Sequence, residues 1–234
     1  MRIKIYADGA NLDEIKVLSK NKEIIGFTTN PSLMAKSGIR DYEAFAKEVI
    51  EILEGKPLSL EVFSDDIREM EKQAKIISSW SNNVYVKIPV TNSKGEFTSD
   101  IINQLSNEGI KLNITAIFTL PQVESIIKNL SNETPSIISI FAGRIANTGI
   151  DPIKTMIDSV NMAAKKSTLI EILWASAREP LNIIQAERAG CHIITLPKEF
   201  VDSMSLFGKD LDQYSLETVR TFYEDAVKSG YKIT

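Results

Sequence analysis

The chain has 234 residues, is 43% hydrophobic and 25% charged, and carries a net charge of −4 with both signs interspersed. That length suffices for one large core, and the charge pattern excludes a broad footprint for nucleic acid or an anionic membrane, so any phosphate site must be local. Cys191 is the only cysteine and His192 the only histidine; a disulfide framework and a Cys/His zinc set are excluded, and both residues read as structural within the apolar run CHIITL.

The chain opens on IKIYADGAN, a strand in which Ile3, Ile5 and Ala7 share one face and Lys4, Tyr6 and Asp8 the other. Because it leads directly into this strand, and no apolar run approaches membrane-spanning length, a cytoplasmic protein is expected. Leu12, Ile15 and Leu18 mark a short amphipathic helix, and IIGFTTNPS a strand to about Asn30 with Pro31 in the first turn of the next helix. That helix continues or restarts at Asp41, with Phe45, Val49, Ile52 and Leu53 as its buried stripe. LSLEVF is the third strand, followed by a helix with Ser64 as its expected N-cap and Trp80 as a packing residue at its end. VYVKIPVT is the fourth strand, with Lys87 near its carboxyl end, and Gly95 and Ser99 then suit a turn and a helix start.

The second half repeats the alternation. KLNIT is a strand and LPQVESIIKNL a helix, PSIISIFAGRI a strand running into a loop, and DPIKTMIDSVNMAAKK a helix with Pro152 in its first turn. TLIEILWAS, EPLNIIQAERAG and CHIITLP read as strand, helix and strand, followed by a short helix near Phe200. A last helix runs from Leu216 to Lys228, stopped by Gly230. Eight strand candidates, each followed by a helix, predict a single-domain (β/α)8 TIM barrel over residues 1–210 with an additional C-terminal helix in 211–234. An open doubly wound sheet is the alternative. It is disfavoured because the first turn is Asp8-Gly9-Ala10-Asn11 and neither GxGxxG nor GxxxxGK[ST] occurs.

Strand parity then assigns faces. With the apolar set turned to the helices, the opposite set points into the barrel: Asp8, Thr28, Asn30, Glu61, Lys87, Asn113, Thr115 and Ser139, each near the carboxyl end of its strand. Strand seven does not conform, since Glu171 has the wrong parity for Ser176. The set holds an amine, two carboxylates and several hydroxyls and amides. A divalent ion on Asp8 and Glu61 is conceivable, but a lysine among them points to acid–base work and to a desolvated amine that attacks carbonyls. Arg144, Ser176 and Arg178 follow strands six and seven, where barrels commonly bind phosphate.

FTTNPSLM, EVFS, VYVKIPVT, LNITAIFTLPQ, SIFAGRI and WASAR, in this order over nearly the whole chain, resemble the transaldolase family, in particular its small branch. The resemblance implies a Schiff base on Lys87, Asp8 as general acid–base at the C4 hydroxyl, and Glu61 acting through a water that Thr115 helps to hold. It implies that Asn30, Asn113 and Ser139 hold a dihydroxyacetone unit, that Arg144, Ser176 and Arg178 bind the sugar phosphate, and that no cofactor or metal takes part. A closely similar group releases free dihydroxyacetone as fructose-6-phosphate aldolase, with glutamine and tyrosine at the positions of Glu61 and Phe141. This chain has the transaldolase residue at both, which favours transfer over release. A catalytically silent phosphosugar-binding barrel is the reading from another class. Gly9 and LPKEF depart from the commoner family pattern. The carboxyl-terminal helix resembles the arm with which small relatives form homo-oligomers, as pentamers or decamers. The partners implied are sugar phosphates, with neither nucleic acid nor membrane.

Overall fold

The computed structural model describes residues 2–233. The chain divides into two compact units, Met1–Val201 and Asp202–Thr234. In the first, eight parallel strands close a barrel in sequence order. They are β1 (Lys4–Asp8), β2 (Ile24–Thr28), β3 (Leu58–Glu61), β4 (Val84–Pro89), β5 (Leu112–Ile117), β6 (Ser136–Ile140), β7 (Ile170–Trp174) and β8 (Ile193–Pro197). The helices between them are α1 (Leu12–Ser19), α2 (Pro31–Lys36), α3 (Tyr42–Leu53), α4 (Ile67–Ser79), α5 (Ser99–Asn107), α6 (Leu120–Asn129), α7 (Ala142–Ala146), α8 (Ile153–Lys166) and α9 (Leu181–Arg188). After β8 come α10 (Lys198–Ser203), a 3-10 turn at Met204–Leu206 and α11 (Leu211–Ser229).

Local chemistry sets the boundaries. Asn30 and Asp41 cap α2 and α3 separately, so the helix after β2 restarts, and Pro31 occupies the first position of α2. Thr119 and Gln122 close a capping box on α6. Two expected starts are displaced. Asp66, not Ser64, accepts from the Glu69 amide and caps α4, while the Ser64 hydroxyl accepts from the Asp66 amide one turn earlier. Pro152 is itself the N-cap of α8, and the Asp151 carboxylate receives the Ile153 amide. The segment expected to run from strand six into a loop contains α7, five residues around Gly143 and too short to show a periodicity. In the second unit α11 begins at Leu211 because Asp210 caps the Gln213 amide; none of its side chains is buried.

The parity of the strands holds. Ile5, Ala7, Leu58, Leu60, Val86, Ile88, Leu112 and Ile114 are buried on the helix-facing side, each contributing on the order of 1–3 kcal/mol. Inside the barrel, Tyr6, Ile137, Leu173, Ala175 and Ile193 form an apolar cluster with Tyr85 and Phe141 against it. Gly26 makes room for the Tyr6 ring, which a Cβ at that position would meet at 2.5 Å. Glu171 is accounted for: it pairs with Lys4 at 2.9 Å, at the amino end of the barrel. Ser176 lies beyond the end of β7 at φ 63°, so it need not follow the strand's alternation. Most neighbouring strands pair over four or five residues, but β2 and β3 only at Phe27↔Leu58 and Thr28↔Ser59, and β7 and β8 only at Leu173↔Ile193 and Trp174↔Ile194. Among the described residues no helix is long and apolar enough to cross a membrane.

Cys191 is buried, which pushes its thiol up to about 12, and it is inert packing rather than a nucleophile. His192 Nδ1 accepts from the Ile172 amide at 2.9 Å, and burial lowers the imidazole's affinity for protons. The unfolded chain therefore binds more protons below its ordinary value of about 6.5, and stability present above that pH is lost as pH falls through it. The urea midpoint should decline between pH 7.5 and 5.5, and His192→Gln should flatten that decline; an identical slope in both proteins would exclude His192 as its source.

Candidate active site

Alternation along the strands brings the polar residues to one place, a cavity of about 560 Å³ at the carboxyl ends of the barrel. Lys87 and Glu61 are in register across β3 and β4, so their side chains leave the sheet side by side. The Lys87 Nζ lies 3.0 Å from Glu61 Oε2 and donates to the backbone carbonyl of Thr29 at 2.7 Å, with the residue only 7% exposed. A buried ammonium without such partners would be far too costly to keep.

Asp8 ends β1, and its Oδ1 accepts from the Thr28 hydroxyl at 2.8 Å; Thr28 and Thr195 hydroxyls lie 2.5 Å apart. Burial raises the Asp8 carboxyl above the ordinary carboxylate range, with the Glu61 charge adding to it, against the pull of Lys87 and Thr28. A carboxyl moved toward neutrality is suited to both giving and taking a proton. On the other side, Ser139 Oγ donates to Asn113 Oδ1 at 2.6 Å and Asn113 Nδ2 donates to Ser59 Oγ at 3.0 Å. Both side chains are thereby fixed in orientation. Thr115 faces Pro89 across β5 and β4, just before a register shift at which Ala116 takes φ 59°. Asn30 uses its carbonyl oxygen on the Leu33 amide, which leaves its amide hydrogens as its donors.

Beyond this layer lies a cationic rim. The Arg144 guanidinium sits 5.3 Å over the Phe141 ring, and Arg178 Nε donates to Asn147 Oδ1 at 3.1 Å. A Cβ on Gly143 would fall 1.6 Å from the Ser176 carbonyl oxygen, so the turns after β6 and β7 approach as closely as two backbones can. Each of the twelve residues singled out from the sequence (Lys87, Asp8, Glu61, Thr115, Asn30, Thr28, Asn113, Ser139, Phe141, Arg144, Ser176 and Arg178) lines this one cavity.

Three polar lining residues lie outside the set singled out from the sequence: Ser32 in the first turn of α2, Thr195 and Lys36. Thr195 shares its parity with Ile193 and stands near the end of β8, so extending the alternation to strand eight would have found it. Lys36 closes α2, and nothing in the strand pattern signals it. Neither Cys191 nor His192 reaches the cavity, and at Gly9 an added Cβ would meet open space. Among the described residues no group of three or more His, Cys, Asp or Glu side chains could hold a metal ion. Four cationic side chains (Lys36, Lys87, Arg144, Arg178) face two carboxylates (Asp8, Glu61) in a chain of net charge −4. The cavity is therefore locally positive and fits an anionic ligand.

Residues 5–233 match the family described as Transaldolase/Fructose-6-phosphate aldolase. A probable transaldolase of Thermoanaerobacter sp. is 36% identical over 231 residues, covering 99% of this chain and 100% of that protein. A probable transaldolase of Streptococcus equi subsp. zooepidemicus is 35% identical over 225 residues, covering 95% of this chain and 97% of the other. Among solved structures, KGPDC from Streptococcus mutans superposes with TM-score 0.58 at 8% identity, over 85% of this chain and 89% of that one. A 2,3-dimethylmalate lyase superposes with TM-score 0.56 at 12% identity, over 98% and 84%. These two likenesses establish the barrel fold alone.

Gly143→Ala must displace one of the two turns, and it should cost about 1–3 kcal/mol, read as a lowered thermal midpoint. Wild-type stability would show that the turns yield freely. Because the folded Asp8 carboxyl binds its proton more tightly than the unfolded one, its stabilising contribution belongs to low pH and is lost as pH rises through the folded value. Asp8→Asn should therefore raise the melting temperature by a few degrees at pH 7 and by less at pH 4. A lowered midpoint at pH 7 would mean that the carboxylate's ties to Thr28 and Lys87 outweigh its burial.

Proposed function

The chain belongs to the transaldolase/fructose-6-phosphate aldolase family, and from that premise we propose that it transfers a dihydroxyacetone unit from a ketose phosphate to an aldose phosphate through an imine on Lys87. The observation that carries this reading is the position of Lys87, buried in the cavity with Glu61 at 3.0 Å and a raised Asp8 carboxyl within electrostatic reach. In the first step the Lys87 ammonium gives up a proton toward Glu61, and its nitrogen attacks the C2 carbonyl of fructose 6-phosphate or sedoheptulose 7-phosphate. The carbinolamine then loses water to the protonated imine, with Glu61 and a water held by Thr115 moving the protons.

Asp8 next takes the proton of the C4 hydroxyl. The C3–C4 bond breaks, the first aldose phosphate leaves, and the bonding electron pair passes into an enamine on Lys87. A second aldose phosphate, erythrose 4-phosphate or glyceraldehyde 3-phosphate, accepts the enamine carbon, and Asp8 returns the proton to its new alkoxide. Hydrolysis of the imine releases the new ketose phosphate. Asn30, Asn113 and Ser139 hold the hydroxyls of the three-carbon unit throughout, and Thr28 orients Asp8. Arg144, Ser176 and Arg178 take the phosphate.

Phe141 supports transfer over release of free dihydroxyacetone, since a phenyl ring can neither donate a proton to the hydrolytic water nor position it. The exposed apolar residues of α11, among them Val219, Phe222, Tyr223 and Val227, support a homo-oligomeric assembly.

Borohydride added with fructose 6-phosphate should trap a dihydroxyacetone adduct on Lys87, seen by mass, and Lys87→Ala should lose both adduct and turnover while staying folded. Turnover retained in Lys87→Ala would exclude the imine, and full-rate turnover without an acceptor aldehyde would establish the aldolase instead. Arg178→Ala should raise KM for phosphorylated sugars about 10–100-fold with little change in kcat, the loss expected of a charge-assisted hydrogen bond. An equal effect on an unphosphorylated dihydroxyacetone donor would place the phosphate elsewhere.

A further inference from the structure

Glu61 is the last residue of β3 and lies beyond the last residue pair that joins β3 to β2. Two amides of β2 and its extension cross to β3: Phe27 N–H donates to the Pro57 carbonyl at 2.8 Å and Thr29 N–H to the Ser59 carbonyl at 3.3 Å. Bonds in a parallel ladder recur at every second residue, so the next would join the amide of residue 31 to the carbonyl of Glu61. Asn30 is still extended at φ −152° and ψ 161°, so the chain has not turned away before that position. But residue 31 is proline and has no N–H to give.

The Glu61 carbonyl is not left without a donor. Tyr42, the first residue of α3, donates its phenolic O–H to it at 3.0 Å. The ring is held edge-on against Phe63 at 4.3 Å and tilted against Trp80 at 5.8 Å, which gives Trp80 its packing role. Burial, the larger cause, holds the phenol well above its ordinary value, so it remains a donor across the physiological range.

We infer that Tyr42 is a positioning residue, whose hydroxyl stands in for the amide that Pro31 lacks and so fixes Glu61 against Lys87. The inference rests on the reading of Glu61 as the proton partner of Lys87. On its other edge this end of β3 is tied to β4, with Glu61 in register with Lys87 and the Val62 amide donating to the Lys87 carbonyl at 3.1 Å. Without Tyr42 the residue carrying the carboxylate is held from one side and can rotate about the strand axis. Displacements of about 1 Å at such a group are worth up to 100-fold in rate.

The test compares wild type, Tyr42→Phe, Glu61→Gln and the double variant with fructose 6-phosphate and glyceraldehyde 3-phosphate. It measures the borohydride-trapped adduct formed per unit time in a single turnover, together with kcat, KM and the thermal midpoint. Tyr42→Phe keeps the ring and its packing. It should slow imine formation and kcat about tenfold with KM within about twofold, and have no further effect once Glu61 is glutamine. Three results would overturn the inference: an unchanged rate of imine formation in Tyr42→Phe, an undiminished tenfold loss in the Glu61→Gln background, or a rise in KM with kcat kept. Failure of the underlying reading looks different, since the wild-type protein would then trap no adduct on Lys87, or Glu61→Gln would trap it at the wild-type rate.

Discussion

The contact between the Lys87 ammonium, the Glu61 carboxylate and the Thr29 carbonyl is the constraint to which the rest of the barrel answers. A charge this deep is tolerable only if its hydrogens are matched by acceptors. One acceptor comes from the register of β3 against β4, which sets Glu61 beside Lys87. The other comes from an interruption: β2 leaves β3 after Ser59, and the Thr29 carbonyl takes the lysine. One of the two shortest seams of the barrel thus lies beside this contact. A longer β2–β3 ladder would employ that carbonyl in the sheet and leave the ammonium with one partner fewer.

Around this contact the polar side chains sort into two sets. Thr195, Thr28 and Asp8 connect β8, β2 and β1 through hydroxyls ending on a carboxylate, while Ser59, Asn113 and Ser139 connect β3, β5 and β6 through hydroxyls and an amide. The first set ends on a group whose proton affinity burial has raised. The second contains no ionisable group and can only orient. With the ionisable group confined to one set, each network can be rigid without disturbing the other, as the proposed reaction would require.

Much of this was legible in the chain because alternation with period two is a strong local signal in a strand covered on both sides. The parity that buries Leu60, Val86 and Ile114 is the parity that turns Glu61, Lys87 and Asn113 inward. Legibility ends where structure depends on what two distant segments do to each other. Ser64 and Asp66 are both good caps, and only the path of the chain decides that Asp66 takes the amide. Ser176 could not be placed by counting from Glu171, because the backbone enters the left-handed region at that residue. Tyr42 reads as an ordinary first-turn residue, and its role depends on a missing amide in a neighbouring strand. The truncated pairing of β2 with β3 is marked only by Pro31, which lacks the amide the next ladder bond would need.

The same dependence on backbone path explains the strain. Ala116 and Ser176 adopt φ 59° and 63°, each at a cost on the order of 1–3 kcal/mol for a residue with a side chain, and both line the cavity. Ser176 is held there by two contacts with Gly143: its own carbonyl lies against that residue, and the Ala175 carbonyl accepts the Gly143 amide at 3.4 Å. The adjoining strands β6 and β7 pair over five residues, the full length of both. Arg144 follows Gly143 directly and Arg178 comes two residues after Ser176, so their relative position is set first by where two backbones touch. Long cationic side chains on flexible turns would lose much of their affinity for an anion to rotamer entropy. Anchored on a strained, closely packed pair of turns, their backbones are fixed in advance, which would favour the phosphate-binding role proposed for them.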